Sequence, residues 1–331
     1  IIPAADPSFL SADFLTQPID DFFRKNKKPI VIFWPDTHLN KFGNGWSIDD
    51  KDAAYAPERN MFPIYKNLIV IKCKRQGNKM YTISSEPPLD YTIIYTIDSS
   101  IKESSAEKNE KDHSITISSN NNDTTTTFFV PFETNGIKTT CTILENRYGN
   151  RFFIRNSIPD FVWDTLYSQK SDSLFRIMMH RSDNMYAEHT LLMSSISKLG
   201  LMKGEKIIDS LLGTDLKELP QKPRWVDGSG LSRYNLFSPM DMVFVLIKLQ
   251  NEFGWNRLKT ILPTGGSGTL KNYFLNKKGK IFAKTGSLSN NTSLCGYMES
   301  TSGKMLAFSI MVNNHPGSSR NIRIEIGRAH V

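Results

Sequence analysis

Apolar residues recur along this chain in two rhythms, and the change from one to the other near residue 160 organises it. Leu15, Ile19, Phe22 and Phe23 share one helical face, and Pro29-Ile30-Val31-Ile32-Phe33 follows as a short β-branched strand ending at Trp34-Pro35. From about residue 46 to 160 the pattern is mostly extended. Asn67 to Cys73 predicts one strand, and Tyr91 to Ile97 alternates with period two. Phe128 to Phe132 and Lys138 to Leu144 predict a hairpin turning at Asn135-Gly136. Between these strands, Asp98 to Thr127 is rich in Ser, Thr, Asn, Glu and Lys, and is expected to be a mobile surface insertion that buries little apolar area.

Past Ser157-Ile158-Pro159 helices dominate. Ser173 to His180 sets Leu174, Ile177 and Met178 on one side, and Ala187 to Leu199 forms a second helix stopped by Gly200. Ser238-Pro239 opens a third, with the hydroxyl as N-cap and the proline in the first turn, continuing through Val243, Leu246 and Ile247. Lys280 to Leu288 and Lys304 to Asn313 predict strands, with Ser293 to Met298 between them. No internal repeat is present.

Composition narrows the function classes. A chain of 331 residues with 39% apolar and 22% charged residues has room for two or three domains with real cores, and is not disordered as a whole. The longest apolar stretch, Met240 to Leu249, is broken by Asp241 and Lys248, so no transmembrane helix is predicted. The net charge of +8 is scattered, and its densest cluster, Arg24 to Lys28, reads as a solvated helix end. No nucleic-acid partner is expected. Cys73, Cys141 and Cys295 match no zinc spacing and read as small buried apolar residues, so neither metal nor organic cofactor is expected. The chain opens on Ile1 with no basic-then-apolar leader, and is expected to be a processed form or a fragment.

Three segments carry candidate chemistry. In His180-Arg181-Ser182-Asp183-Asn184, Ser182 and Asn184 sit at a helix junction, where side chains two apart can both face a cleft; helix capping is the competing reading. In Ala283-Lys284-Thr285-Gly286-Ser287, strand alternation puts Thr285 and Ser287 on one face, Lys284 adds positive potential, and bare Gly286 leaves space for a ligand running as an added strand. The competing reading is a hairpin strand with solvent-facing polar residues. In Asp227-Gly228-Ser229-Gly230-Leu231-Ser232-Arg233-Tyr234-Asn235, two glycines flank Ser229 without forming a Gly-x-Ser-x-Gly elbow, and neither His315 nor His330 completes a triad. A shaped loop is the expected outcome there.

Each tripeptide alone is weak, but Ser-x-Asn followed by Lys-Thr-Gly resembles the signature of penicillin-recognising serine enzymes. The resemblance extends to the D-Ala-D-Ala carboxypeptidases of peptidase family S13, the class C low-molecular-mass penicillin-binding proteins. It rests on Asp227 to Asn235, on Ala283 to Leu288 with Gly296-Tyr297 and Ala307-Phe308, and on Leu262-Pro263, Gly265-Gly266 and Gly268-Thr269-Leu270. Near the start, Ala5-Asp6-Pro7, Gly45-Trp46 and Asp49-Asp50 are similar to family landmarks. The match runs from about residue 4 to 325 and is weakest across 60 to 160.

This resemblance implies an α/β (α+β) transpeptidase fold of the penicillin-binding-protein/β-lactamase kind. It has an antiparallel sheet flanked by helices in 161–325 and inserted mostly-β accessory domains in 1–160. It implies acyl transfer on peptidoglycan stem peptides ending in D-Ala-D-Ala, inhibition by β-lactams, and a periplasmic or extracytoplasmic location. Catalytic roles fall on Ser182, Asn184 and Lys284, substrate binding on Thr285, Gly286 and Ser287, and a supporting loop on Asp227, Gly228, Ser229 and Gly230. The family's nucleophile lies in a Ser-x-x-Lys upstream of the Ala-Asp-Pro landmark, which here opens the chain. Ser99/Lys102, Ser105/Lys108 and Ser195/Lys198 fall in the wrong places, so no nucleophile is assigned. Residues 326–331 resemble a translated sequencing adapter and are expected to be non-native, leaving a sheet without its usual final helix and a poorly soluble or partly molten chain. A non-catalytic muropeptide-binding relative and a serine β-lactamase are the alternatives.

Overall fold

A computed structural model describes residues 1–35, 39–77, 79–88, 90–98, 100–109, 111–119 and 124–328. The chain divides into two compact units, Ile1–Ser168 with Gly200–Met202, and Gln169–Leu199 with Lys203–Val331.

The first unit contains α1 (Pro18–Lys25), β1 (Ile30–Phe33), β2 (Leu68–Gln76), β3 (Lys79–Glu86), β4 (Thr92–Ile97), β5 (Ser105–Asn109), β6 (Ser114–Ser119), β7 (Thr125–Pro131), α2 (Lys138–Tyr148) and β8 (Phe152–Arg155). Among the described residues its strands pair as β3-β2-β7, β4-β6-β5 and the parallel pair β1-β8. The core joins Ile69, Ile71 and Cys73 of β2 to Phe9, Phe23, Val130 and Leu144. Phe23 stacks on Phe9 at 5.5 Å and on Tyr148 at 5.3 Å, which fixes α1 against α2.

Three sequence expectations change here. Leu15 is fully exposed and lies outside α1, which starts at Pro18 instead. Lys138 to Leu144 is helix, not strand. Asn135 and Gly136 both take positive φ, as an Asn-Gly hairpin turn would, but the chain leaves them into α2, whose Thr140, Cys141, Leu144 and Tyr148 bury one helical face. The polar insertion Asp98 to Thr127 supplies two paired strands, β5 and β6, and Ile115 and Ile117 of β6 have no solvent exposure. Two alternating isoleucines are enough to bury one face of a strand in an otherwise polar segment.

The second unit contains α3 (Ser171–Arg181), α4 (Asn184–Leu199), α5 (Gly204–Gly213), α6 (Pro239–Ile261), β9 (Ile281–Leu288), β10 (Asn291–Glu299), β11 (Met305–Asn313) and α7 (Ser319–Arg328). An antiparallel sheet, β11-β10-β9, packs Phe282 and Tyr297 against Leu246, Leu258 and Leu262. This is the sheet-and-helix arrangement expected from the sequence. The sheet does receive a closing helix: α7 places Ile326 against Leu270, Ala283, Leu294 and Phe308. The segment expected to be a non-native tail thus begins inside α7, while Ala329, His330 and Val331 lie outside the described residues. Among the described residues no helix is long and apolar enough to cross a membrane, and Cys73, Cys141 and Cys295 are all free thiols.

Helix α6 shows how local sequence sets these boundaries. Ser238 Oγ accepts the Asp241 N–H (3.1 Å) and Asp241 Oδ2 accepts the Ser238 N–H (3.0 Å), a reciprocal cap with Pro239 in the first turn. The other carboxylate oxygen, Oδ1, accepts the Gln221 N–H at 2.9 Å. Ser238→Ala is expected to lower the stability of this unit by about 1 kcal/mol, read as a shift in urea midpoint at constant slope.

Candidate active site

The junction between α3 and α4 is two residues long, Ser182 and Asp183, and its geometry follows from two caps. Met178 O accepts the backbone N–H of both Ser182 and Asp183, closing α3. Asp183 Oδ1 then accepts the Tyr186 N–H at 3.1 Å and opens α4. Ser182, squeezed between them, takes a left-handed conformation (φ 57°, ψ 49°). Such backbone is uncommon for a residue with a side chain and is kept where the surroundings demand it. In this segment, where capping was the competing reading, Asp183 caps α4 while the Ser182 hydroxyl meets Lys284 of β9.

Lys284 Nζ donates to Ser182 Oγ at 2.6 Å and to Thr285 O at 2.6 Å. Burial of its ammonium pushes the Lys284 pKa down to about 8; neighbouring Cys295 opposes that shift and the positive charge of Arg323 adds to it. A lysine titrating there is poised to exchange a proton with the hydroxyl it touches. Cys295 stands directly across the β9–β10 ladder from Lys284, and burial pushes its thiol pKa up.

β9 is an edge strand. Its first residues are covered, with Ala283 N–H donating to Pro263 O (3.0 Å) and Phe282 bridging to Thr264. From Lys284 onward its outer edge pairs with no strand among the described residues. An extended ligand can add there through main-chain hydrogen bonds. Thr285 is buried, Ser287 is exposed, and Ser287 Oγ accepts a hydrogen bond from Arg323 Nη2 of α7. At Gly286 an added Cβ would run into Ser293 Oγ on β10, so the bare glycine lets β9 and β10 pack closely.

Asn184 begins α4, two residues from Ser182, and one turn further along that helix lies a residue to which the sequence reading gave no role. Glu188 is buried, and its Oε2 accepts the N–H of Gly228 (2.7 Å) and of Ser229 (3.1 Å). Gly228 has to be glycine, because a Cβ would sit 2.7 Å from Ala187 O and 2.9 Å from Leu191 Cβ. Asp227, only 3% exposed, organises the rest of this loop: Oδ1 accepts from Gly230 N–H (3.1 Å) and Asn235 Nδ2 (2.6 Å), Oδ2 from Ser229 Oγ (2.7 Å) and Ser232 N–H (3.1 Å). Ser229 is thus held by a carboxylate within its own loop. Gly268 presses on the C-terminal end of α3, just before Ser182, where an added Cβ would lie 2.8 Å from His180 O.

The Ser-x-x-Lys pairs inside the chain have other partners. Ser195 Oγ donates to Lys203 O (3.0 Å) and accepts the Lys203 N–H (3.1 Å), while Lys198 Nζ binds Asp215 at 2.7 Å. Lys108 pairs with Asp52 at 3.6 Å, and Ser99 lies outside the described residues. Among the described residues no cluster of three or more His, Cys, Asp or Glu side chains is arranged to hold a metal.

The fold is similar to that of penicillin binding protein 4 (dacB) from Haemophilus influenzae, with a TM-score of 0.70 at 16% identity, covering 98% of this chain and 81% of that one. In sequence, the chain is 32% identical over 152 residues to carboxypeptidase DacB of Mycolicibacterium smegmatis, covering 42% of this chain and 33% of that protein. It is 29% identical over 161 residues to D-alanyl-D-alanine carboxypeptidase DacB of Haemophilus influenzae, covering 45% of this chain and 29% of that protein. The matched stretches therefore span a third or less of these curated relatives. The family model for D-Ala-D-Ala carboxypeptidase 3 (S13) matches residues 164–330, a span that holds Ser182, Asn184, the Asp227 loop and the Lys284 strand. With just over half of its length matched, the chain belongs to the D-Ala-D-Ala carboxypeptidase 3 (S13) family.

Proposed function

We propose that the protein carrying this chain is a serine-type D-Ala-D-Ala carboxypeptidase/endopeptidase that acts on peptidoglycan stem peptides, binds β-lactams and works outside the cytoplasmic membrane. The observation that carries this reading is the Lys284 Nζ to Ser182 Oγ hydrogen bond of 2.6 Å beside the open edge of β9. The names of the relatives, carboxypeptidase DacB among them, support it.

In the proposed reaction a serine Oγ attacks the carbonyl of the penultimate D-Ala. The peptide C–N bond breaks, terminal D-Ala leaves as the amine, and water hydrolyses the resulting ester. Ser182 passes a proton to the departing nitrogen, and Lys284 holds and reprotonates it. Asn184 holds the substrate amide carbonyl. Thr285 and Ser287 bind the terminal carboxylate, with Gly286 between them keeping β9 packed on β10. The Ser287 backbone N–H contributes to the oxyanion hole. The loop of Asp227, Gly228, Ser229 and Gly230 braces α4 and touches no reacting atom. The nucleophile is assigned to a segment outside these residues, since Ser195 and Ser229 are both engaged structurally.

Reading the coding sequence before Ile1 tests this directly. A Ser-x-x-Lys opening an apolar-faced helix supplies the nucleophile, and stable labelling of the whole protein by a fluorescent penicillin follows. An intact upstream frame without that motif, and no labelling, leaves a muropeptide-binding protein instead. Rapid penicillin turnover favours a β-lactamase.

A further inference from the structure

The residues assigned to the substrate carboxylate, Thr285 and Ser287, are neutral, yet two cations stand beside them. Lys284 spends its hydrogen bonds on a hydroxyl and a carbonyl. Arg323 donates from Nη2 to Ser287 Oγ, lies 5.9 Å over the Tyr273 ring, and keeps its Nε–H buried with no acceptor. Among the described residues neither cation forms an ion pair. Two uncompensated positive charges at one strand are costly unless an anion completes the site.

The fold holds Arg323 in that position. Ser319, Arg323 and Ile326 follow i, i+4, i+7 spacing and share one face of α7. At one end of that face, Thr292 Oγ1 donates to Ser319 Oγ at 2.7 Å. Thr292 is itself only 2% exposed and lies 3.0 Å from His315 Nε2. It also sits directly across the ladder from Ser287. At the other end, Ile326 packs on Ala283 and Leu294. The guanidinium between these anchors is therefore aimed at β9 by both ends of the helix. Because Ser287 Oγ accepts from Arg323, its own O–H proton is free to donate outward to a second group.

We infer that Arg323 is the charged anchor for the free carboxylate of the leaving amino acid, binding it jointly with the hydroxyl of Ser287. This deepens the peptide-site reading proposed above and rests on it. It restricts substrates to acyl-D-amino acids whose α-carboxylate is free one residue past the scissile bond, and excludes chains that continue as a further amide. A carboxylate seated there lies between Arg323 and Lys284 and offsets their mutual repulsion.

Equilibrium binding tests this without any covalent step. The probes are diacetyl-L-Lys-D-Ala-D-Ala and its C-terminal carboxamide, titrated into the 331-residue chain. The unmodified chain is expected to prefer the acid. Arg323→Gln should weaken acid binding by about tenfold or more and leave amide binding unchanged. Arg323→Lys should restore part of the preference, and Arg320→Gln, an exposed cation on the same helix, should change neither. If the acid preference survives in Arg323→Gln, or both affinities fall alike, the anchor assignment is overturned while the peptide site stands. If the unmodified chain binds neither probe, the peptide-site reading and the assignment fall together.

Discussion

Replacing Lys284 with methionine is expected to slow acylation of the whole protein by a β-lactam about a hundred- to a thousandfold, and at the same time to stabilise the unit that contains it. The kinetic loss follows from removing the charge beside Ser182 Oγ, with a magnitude like that of deleting one transition-state donor. The stability gain follows from linkage. The folded-state pKa of Lys284 is about 8 against an ordinary 10.5, so the folded protein binds this proton more weakly than the unfolded chain does. The penalty is present in full below about 8 and is relieved as pH rises towards 10.5. It amounts to about 3 kcal/mol. The stability of the unmodified unit should therefore rise between pH 8 and 10.5, where the unfolded state holds more protons. Methionine fills the same volume without a charge, so the variant should lack that rising limb and be the more stable protein at pH 7. Thermal midpoints of both proteins at pH 7 and 10, beside penicillin-labelling rates, check the two halves together. A variant less stable than the original at pH 7 removes the argument that Lys284 is retained for chemistry at the expense of stability.

Much of the candidate site is legible because its motifs are short-range in sequence. Ser-x-Asn and Lys-Thr-Gly each keep their functional groups within three residues, and the fold brings Ser182 and Lys284 to 2.6 Å. Longer-range support left weaker traces. Glu188 looked like any acidic residue in the first turns of a helix, and its buried contact with Gly228 depends on a loop forty residues away. Arg323 was hidden by its neighbours. Ile322, Ile324 and Ile326 alternate with period two, the rhythm of a strand, yet the segment folds as α7, leaving Ile324 38% exposed and Ile326 packed. The same conflict reversed the reading of α2. Thr139, Thr140, Thr142 and Ile143 are β-branched residues of high strand propensity, but burying Cys141, Leu144 and Tyr148 on one helical face outweighs that preference. In β6 the polar composition of the insertion masked Ile115 and Ile117, two residues that decide the pairing of three strands. Composition averages over a segment, whereas a sheet responds to which alternate positions are apolar.

Asp227→Ala is expected to cost the second unit about 3–5 kcal/mol, the largest stability loss at any site residue. Four donors converge on this carboxylate, two of them backbone N–H groups of Gly230 and Ser232. Ser232 is 1% exposed, so its N–H cannot turn to water when the acceptor is removed. Each orphaned buried donor costs about 1–3 kcal/mol, and rehydration of the half-buried Ser229 and Asn235 returns part of the sum. Asp227→Asn keeps one accepting oxygen but turns an N–H₂ group towards two donors, so it should recover less than half of the loss. By contrast, Ser229→Ala removes a single hydrogen bond and should cost about 1 kcal/mol. Trp225 reports the change locally, since its Nε1 donates to Asp227 O at 2.7 Å. Urea unfolding followed by tryptophan fluorescence gives the magnitude. Hydrogen exchange across residues 226–236 and α4 then separates local release of the loop from loss of the whole unit. If the loop alone opens, Glu188 loses its Gly228 and Ser229 donors, and protection should fall along α4 towards Asn184. If exchange rises only within the loop while α4 keeps its protection, the brace is dispensable to the helix. Asn184 is then positioned by the Asp183 cap alone, and the Asp227 block serves stability rather than the geometry of the site.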